Sequence, residues 1–314
     1  MATHPPPQQP SQTDGSRVFD RQLVRMHRDR AAKGFHNHNF LVSEVARRCV
    51  ERLDEVNRTF ERTLDLGCHS GELAHELRSR SDIDVLVQCD LSEQMVRQAK
   101  GSRVVADEEV LPFADHTFDL VISALSLHWI NDLPGTLVQI NRCLKPDGLF
   151  LGALLGGETL RELRAALLDG EIEAEGGASP RVSPFAEIRD AGSLLQRAEF
   201  ALPVADVETI TVTYPDALAL MRDLRGMGET NALVNRRQTP TRRTTFAAAA
   251  LAYGERFADQ NGRIPATFEV LTLTGWHPDP SQQQPMKPGS ANTRLADALH
   301  TQEHRTGQKP GAQN

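Results

Sequence analysis

The chain is predicted to be an α/β protein built on a mostly parallel β-sheet. Apolar runs alternate with helical segments from residue 63 onward, which is the pattern of strand–helix–strand units whose sheet is covered on both faces. Five such apolar runs lie between residues 63 and 155. The chain has 314 residues, of which 39% are hydrophobic, so it can bury a sizeable core.

The first half of the chain contains most of the predicted sheet. We expect strands at residues 63–67, 83–89, 103–106, 117–124 and 149–155, and helices at residues 17–33 and 40–55, from 72, from 92, and at 133–144. The run Lys145-Pro146-Asp147-Gly148 predicts a turn before the fifth strand, because proline fixes one corner and glycine accepts positive φ.

The second half is predicted to add two strands, at 207–214 and 266–274, separated by a helical block at 216–259. Helices are expected at 158–169 and 185–199, with a Gly-, Ser- and Pro-rich loop over 170–184 between them. The predicted organisation is two N-terminal helices at 17–56 and one domain at 57–275, with a helical insertion at about 215–263. The polar segments 1–16 and 276–314 are expected to be flexible tails.

The charge balance argues against nucleic acid as a partner. Lys and Arg number 35 against 42 Asp and Glu, a formal net charge of -7, so the chain has no global field that attracts DNA or an anionic membrane. The longest uncharged apolar stretch, 120–131, is shorter than the roughly 18 residues of a membrane span. No secretion signal or transit peptide is expected at the N-terminus.

The cysteines predict a reducing compartment. The chain has four of them, far apart and without metal-site spacing: Cys49, Cys68, Cys89 and Cys143. This spacing argues against a disulfide framework and against a structural zinc site. A cytoplasmic protein is therefore expected.

Acidic residues stand at the ends of three successive predicted strands. Asp65 ends the first strand before a glycine turn, Asp90 ends the second, and Asp107 and Glu108 follow the third. Glycine at a strand-to-helix turn lets the backbone approach a ligand, and an acid after the second strand can accept the hydroxyls of a ribose. The three-glycine turn that admits a pyrophosphate is absent, so the pattern favours S-adenosylmethionine over a dinucleotide.

Four segments resemble the class I S-adenosylmethionine-dependent methyltransferases, which have a Rossmann-like fold: LDLGCHSG, CDLSEQM, ADEEVLPFADHTFDLVISALSLHWI and LKPDGLF. The resemblance implies a seven-stranded sheet with six parallel strands and one antiparallel strand. It implies these cofactor-binding residues: Asp65, Gly67, Cys68 and Gly71 on the methionine side, and Asp90, Leu91, Asp107, Glu108 and Ser123 for the rest of the site. Family members usually have glycine where this chain has His69.

Longer segments give a narrower resemblance, to the respiratory complex I assembly factor 5 family and its bacterial relatives. They include FDRQLVRMHRDRAA, GGASPRVSPFAEIRD, MRDLRGMGETNAL and TFEVLTLTGWHPDPSQQQPMKPGSA. This resemblance implies an enzyme that binds S-adenosylmethionine and acts on an iron-sulfur subunit of complex I, by methylation or by arginine hydroxylation. It also implies a cytoplasmic protein that works at the periphery of the inner membrane.

Two other functions stay open at this point. One is a scaffold that binds the cofactor and an assembling subunit without chemistry. The other is the O-methylation of a malonyl carrier protein in biotin synthesis, which rests on a similar general fold.

His128 is the candidate catalytic residue. With Trp129 it follows the fourth predicted strand, at the edge where ligands of open α/β sheets bind. Its ordinary pKa, near 6.5, suits a general base. The run 226–231 is assigned as a hinge near the substrate opening by family likeness alone.

No metal is predicted. A hydroxylase would ordinarily hold iron through two His and one carboxylate. Three groups fail as ligand sets. His27 with Asp29 lies among arginines that would repel a cation, and His36 with His38 has no obvious acid in its loop. His69, Glu72 and His75 are spaced three and three on one helix, which aligns them poorly.

The first predicted helix is basic. Residues 17–48 carry eight Lys or Arg against three acids, and Arg21, Arg25 and Arg28 recur on one helical face. A second basic cluster comprises Arg236, Arg237, Arg242 and Arg243. Both are expected to be a solvated surface, a face for an acidic partner protein, or a lid over the cofactor.

Overall fold

The computed structural model describes residues 17–185, 187–283, 290 and 293–301. The predicted tail at 1–16, and much of the one at 276–314, lie outside these residues. The chain divides after Asp279 into two compact units, and the first contains the whole described sheet. In the second unit, Leu295–Ala298 form one turn of helix.

The seven strands form a single sheet. They are β1 (Arg62–Leu66), β2 (Val85–Asp90), β3 (Ser102–Val105), β4 (Phe118–Ala124), β5 (Leu144–Leu155), β6 (Ala201–Tyr214) and β7 (Ile264–Trp276). Their order across the sheet is β3-β2-β1-β4-β5-β7-β6. Only β7 runs antiparallel, to both β5 and β6. The predicted fold class is therefore confirmed, with six parallel strands and one antiparallel strand.

Helices of the first unit cover both faces of the sheet. The helices of this unit are α1 (Arg21–Ala32), α2 (Phe40–Asp54), α3 (Glu72–Glu76), α4 (Glu93–Val96), α5 (Leu133–Cys143), α6 (Arg161–Glu175), α7 (Ile188–Arg197), α8 (Ala217–Met227) and α9 (Arg243–Phe257). Alternate residues of β4 divide the core. Leu120 and Ile122 pack with α2, α6, α8 and α9, whereas Val121 packs with α5 and α7 on the opposite face.

The predicted turn at Lys145–Gly148 is a bulge within β5. Phe118 pairs with Leu144 and Leu120 pairs with Leu149, so the extra residues loop out of the ladder. Asp147 takes a positive φ of 59° there. The predicted role of Gly148 was wrong, because Asp147 takes the positive φ; a Cβ at Gly148 would instead lie 2.8 Å from the Lys145 carbonyl oxygen. The chain returns to the same ladder on both sides of the bulge.

The loop predicted over 170–184 begins later than expected, because α6 continues to Glu175. Gly170 reads as a helix breaker, yet a Cβ at this position would overlap the backbone of Ala249 in α9. It is therefore a close-contact residue where the two helices cross. The helix ends instead at Gly176, which has a φ of 70°.

The last hairpin also differs from the prediction. β6 begins at Ala201, and its register with β7 shifts between Ala201 and Val204, around Pro203. Proline suits such an irregular step on an edge strand. The predicted helical block at 216–259 is two helices, because Gly228 ends α8 with a φ of 85° and residues 228–242 are not helical. None of the described helices combines the length and the apolar character that crossing a membrane requires.

Candidate cofactor and acceptor site

The glycine turn after β1 is folded tightly against the end of β2. The backbone N–H groups of Gly67 and Cys68 donate to the Cys89 carbonyl at 2.7 and 3.0 Å. Gly67 has a φ of 75°, and a Cβ there would overlap the Ser126 side chain. Gly71 has a φ of 100°. Both positions therefore require glycine, and they leave backbone exposed to whatever binds above the turn.

Asp65 is buried at the end of β1 without a hydrogen-bond partner for either carboxylate oxygen among the described residues. Burial raises the pKa of this carboxyl well above its usual value, and the neighbouring acids Glu72 and Asp90 raise it further. Burial therefore disfavours the charged form of this carboxyl, and a cation beside it would favour that form.

Asp90, at the end of β2, is fully buried and heavily hydrogen-bonded. Its Oδ1 accepts from the Ser92 backbone N–H at 2.8 Å, and its Oδ2 accepts from the His69 backbone N–H at 3.1 Å. Nη1 of Arg28 lies 3.3 Å from both oxygens. The acid predicted to bind the ribose is thus paired with an arginine of α1.

Glu108 is paired in the same way. It accepts from Arg28 Nη1 at 3.0 Å and from Ser126 Oγ at 2.9 Å, and it forms an ion pair with Arg21. Burial alone would raise the pKa of Glu108, but the two guanidinium groups outweigh it and lower the pKa to about 2. Asp107 is partly exposed and accepts from Arg21 at 2.6 Å.

The basic helix therefore divides into two faces. Arg28 is 1% exposed and reaches the strand-end acids with Arg21, whereas the Arg25 side chain is 48% exposed. Burial works against the charge of Arg28, but Asp90 and Glu108 outweigh it and raise the pKa of the guanidinium. Of the three expectations for this face, a lid over the cofactor residues is the one that the contacts of Arg21 and Arg28 match.

Unpaired buried polar atoms concentrate at this edge of the sheet. Most of those found among the described residues belong to it: Arg21 Nε, Arg28 Nε, both oxygens of Asp65, His69 Nδ1, Ser123 Oγ and His128 Nδ1. Buried polar atoms are normally paired, so their clustering indicates that another group completes the site. The acids fit S-adenosylmethionine in their chemistry: the unpaired Asp65 carboxyl would face the ammonium of the cofactor, and Asp90, now paired with Arg28, is an acceptor of the kind its ribose requires.

The remaining predicted residues lie around the same edge. The Cys68 side chain packs with Val96 and Ala99 beneath the turn, and burial raises the pKa of its thiol well above the usual value. Leu91 belongs to a small apolar cluster that includes Val24 of α1. Ser123 is fully buried in β4.

His69 adopts the left-handed conformation that explains why glycine is usual at this position. Its φ is 50°, and the side chain is buried. The ring stacks on Phe35 with centroids 5.5 Å apart, and Nε2 lies 3.1 Å from the Ala124 carbonyl oxygen. The imidazole thus turns away from Asp90 and toward the end of β4.

A cavity of about 410 Å³ lies beyond the ends of β4 and β5, lined in part by His128 and Trp129. Its wall is mostly apolar, with Leu125, Leu163 and Phe268 among the lining residues. Its charged lining residues are Glu229, Arg181, Arg225, Arg236 and Arg237. Such a volume is typical of a small-molecule or side-chain pocket.

Glu229 is held at the cavity wall by the two residues that follow β4. Its Oε2 accepts from His128 Nε2 at 3.1 Å and from Trp129 Nε1 at 2.9 Å. Burial alone would raise the pKa of Glu229, but His128 and Arg28 outweigh it and lower the pKa below the ordinary value. The cavity therefore contains a carboxylate at neutral pH.

The histidines considered for a metal lie apart or have other partners. His27 Nδ1 lies 3.1 Å from the Thr230 carbonyl, and His38 Nδ1 lies 2.5 Å from Asp223. Within the described part of the chain, no group of three or more His, Cys, Asp or Glu is placed to hold a metal ion.

The fold and the cofactor residues define the class of the protein. The model of the methyltransferase domain family matches residues 64–152. The fold is similar to that of the YcgJ protein from Bacillus subtilis, with 15% identity, a TM-score of 0.51 and coverage of 74% of this chain and 98% of that one. A candidate methyltransferase from Bacillus halodurans has the same TM-score at 16% identity, covering 74% and 99%. The chain is a class I S-adenosylmethionine-dependent methyltransferase, and S-adenosylmethionine is its cofactor.

Full-length relatives identify the family. The chain is 45% identical over 294 residues to the mitochondrial arginine-hydroxylase NDUFAF5 of Danio rerio, covering 91% of each chain. It is 42% identical to the human protein of that name, covering 89% of this chain and 83% of the relative. A malonyl-acyl-carrier protein O-methyltransferase of Xylella fastidiosa is 35% identical, covering 83% and 89%. The chain belongs to the arginine-hydroxylase NDUFAF5 family.

Sequence reasoning missed two side chains that shape the site. Arg28 was placed on a basic face without a partner, although its spacing from Arg21 shows that both point the same way. Glu229 was included only in a predicted hinge at 226–231. Neither contact could be deduced from spacing, because Arg28 lies 62 positions from Asp90 and Glu229 lies 101 positions from His128 in the sequence. The partners meet only through the tertiary fold.

Proposed function

We propose that this enzyme modifies an arginine side chain on a protein partner during the assembly of respiratory complex I. The observation that carries the proposal is the Glu229 carboxylate, held by His128 and Trp129 in a largely apolar cavity at the ends of β4 and β5. An arginine has an apolar stem and a planar cation that pairs well with a carboxylate. The names of the closely related arginine-hydroxylases support the same acceptor.

The two carboxylate oxygens of Glu229 have different roles. Oε2 is held by His128 and Trp129, and Oε1 is left for a ligand. Because a carboxylate only accepts hydrogen bonds, His128 must donate through Nε2, and its Nδ1 is buried without a described partner. We therefore assign His128 as a positioning residue for Glu229 rather than as a general base.

The cofactor residues carry the other half of the reaction. When bound, S-adenosylmethionine supplies an activated methyl group. Asp65 would face the cationic end of the cofactor and Asp90 would hold its ribose, and the cavity at the ends of β4 and β5 would take the acceptor. A methyl group would come from the cofactor, whereas a hydroxyl group would require an additional oxidant; the mass of the product distinguishes the two.

We infer an iron-sulfur subunit of complex I as the partner, from the family resemblance of the long segments and from the relatives at 40% identity or more. We place the protein in the cytoplasm, peripheral to the membrane that holds complex I. The described cysteines are all free and buried, as expected in a reducing compartment.

Mass spectrometry of complex I subunits from cells with and without the gene tests this function. We expect one arginine to be heavier by about 14 Da for a methyl group, or by about 16 Da for a hydroxyl group, only when the gene is present. Identical masses in both strains would overturn the proposal. If a cofactor-deficient Asp90→Asn variant still restored assembly, the scaffold function would be favoured instead.

A second function is favoured by the relatives that methylate malonyl carrier proteins. Its substrate is a carboxylic acid that is anionic at neutral pH; Glu229 disfavours it in the cavity, whereas the arginines of the lining, among them Arg225, favour it. Rescue of a biotin-requiring strain by this chain would favour that function, and failure of the rescue would remove it.

A further inference from the structure

The N-terminal helix α1 is anchored across the strand ends that hold the cofactor residues. At its start, the Asp20 backbone N–H donates to the Ala232 carbonyl at 2.8 Å. Near its end, Asp29 accepts from Ser92 Oγ at 2.6 Å, and Gln98 donates to the Ala32 carbonyl at 2.6 Å. The helix is therefore fixed on both sides of Arg28.

Arg28 occupies hydrogen-bond acceptor sites of the Asp90 carboxylate that a ribose would need. A carboxylate has about four lone-pair sites. Two accept the backbone N–H groups of His69 and Ser92, and Arg28 lies within 3.3 Å of each oxygen. A ribose diol must donate two hydrogen bonds, so it cannot bind Asp90 while Arg28 is there.

The rest of the cofactor site is closed as well. Asp65, Asp90, Glu108 and Arg28 are each 1% exposed or less, which leaves no route for a ligand as large as a nucleoside. Leu91, the predicted neighbour of the adenine, packs in the same apolar cluster as Val24 of α1. Cofactor and helix therefore compete for the same surface.

The closed arrangement is also incomplete. Arg28 Nε and both oxygens of Asp65 have no partner among the described residues. Buried ion pairs recover the desolvation cost of their charges only when the remaining polar atoms are satisfied. The closed site can therefore be opened by a ligand that satisfies these atoms better.

We propose that Arg28 is an internal substitute for the cofactor, and that S-adenosylmethionine binds only when α1 withdraws Arg28 from Asp90 and Glu108. The arginine keeps the two acids neutralised in the empty enzyme, and the cofactor takes over the hydrogen bonds of Asp90. This inference depends on the cofactor alone and not on the identity of the acceptor.

The movement of α1 also reaches the acceptor cavity. His27 lies 3.1 Å from the Thr230 carbonyl, and Phe19 pairs with Leu233 as an isolated antiparallel bridge. Both contacts hold the segment 228–234, which includes Glu229. Release of α1 would therefore free the segment that presents Glu229 when the cofactor arrives.

Calorimetric titration of the full chain with S-adenosylhomocysteine tests the competition. An Arg28→Met variant removes the competitor, so we expect it to bind about tenfold more tightly than the natural enzyme. Arg25→Met removes the same charge from the exposed face of α1 and should bind as the natural enzyme does. Unchanged or weaker binding by Arg28→Met would overturn the proposal, because Arg28 would then support the cofactor or be irrelevant to it.

Hydrogen exchange on the unaltered enzyme gives an independent result if Arg28→Met does not fold. Saturation with S-adenosylhomocysteine should speed exchange of the backbone amides in residues 21–32, while β4 and β5 are unchanged or better protected. Equal or slower exchange in α1 would show that the helix stays in place when the cofactor binds, and would overturn the proposal.

Discussion

The two halves of the site are built in opposite ways. The cofactor half, at the ends of β1, β2 and β3, is dense with charge and closed by arginines of α1. The acceptor half, beyond β4 and β5, is a cavity of about 410 Å³ with a mostly apolar wall, the Glu229 carboxylate and four arginines at its lining. In the cofactor half Arg28 takes the place of the ligand, whereas the acceptor half is an open cavity.

This difference indicates an order of events. A charged surface cannot stay buried without partners, so the cofactor half must be filled by protein until the cofactor replaces it. An apolar cavity needs no such partner and can remain open. The structure therefore favours an order in which the cofactor binds first and Glu229 takes its position for the acceptor afterwards. Both steps depend on the movement of α1.

The largest effect is expected from Asp90→Asn. A bound ribose would make two hydrogen bonds to this carboxylate, each worth about 1.5 to 3 kcal/mol, so cofactor affinity should fall by roughly 100-fold or more. Calorimetry with S-adenosylhomocysteine measures this change. Asp115→Asn is the matched control, because Asp115 is exposed and pairs only on the surface with Arg142. Normal cofactor binding by Asp90→Asn would show that the acids at the strand ends do not bind the cofactor.

The fold could be predicted because its signals are local. Each parallel strand is a short apolar run between turn residues, and the order of strands and helices fixes the class. The errors occurred where a residue acts at long range. Gly170 is typical of a loop in sequence, and only its contact with Ala249 shows that it lies within a helix. Pro203 argued against a strand at its position, so the first residues of β6 were not predicted.

The cofactor half could be predicted for the same reason, since the acids follow their strands directly. The acceptor half could not. Glu229 meets His128 only because residues 228–234 fold back over the end of β4, and nothing in the local sequence records that contact. Arg28 was visible as a charge, but only the structure shows that it is buried against Asp90.

Glu229→Gln tests the acceptor half without changing its shape. Loss of the charge should reduce modification of the arginine acceptor by about 10- to 100-fold, the value of one charge-assisted hydrogen bond. The affinity for S-adenosylhomocysteine should stay within about twofold, since Glu229 lies outside the cofactor half. Initial rates with the complex I subunit measure the first quantity, and Glu173→Gln, on the exposed face of α6, is the control. A matching loss of cofactor affinity would show that the two halves are not separate.

Asp65→Asn should have the smallest effect on affinity, about tenfold, because burial raises the pKa of this carboxyl and so disfavours the charged form that would pair with the cationic end of the cofactor. Binding of a cation favours the carboxylate, and a proton is then released.

The sign of the pH dependence follows from that proton. Between the ordinary aspartate pKa, about 4, and the raised value, the empty enzyme carries a proton that the complex does not, so cofactor affinity should increase with pH. Over the same range the empty fold loses stability as pH rises, since its raised pKa opposes ionisation. Calorimetry in buffers with different ionisation enthalpies counts the released proton, and in Asp65→Asn that proton should be lost while Asp115→Asn retains it. Equal proton release by the natural enzyme and Asp65→Asn would mean that another group releases the proton. Asp65 would then stay buried in protein both with and without the cofactor.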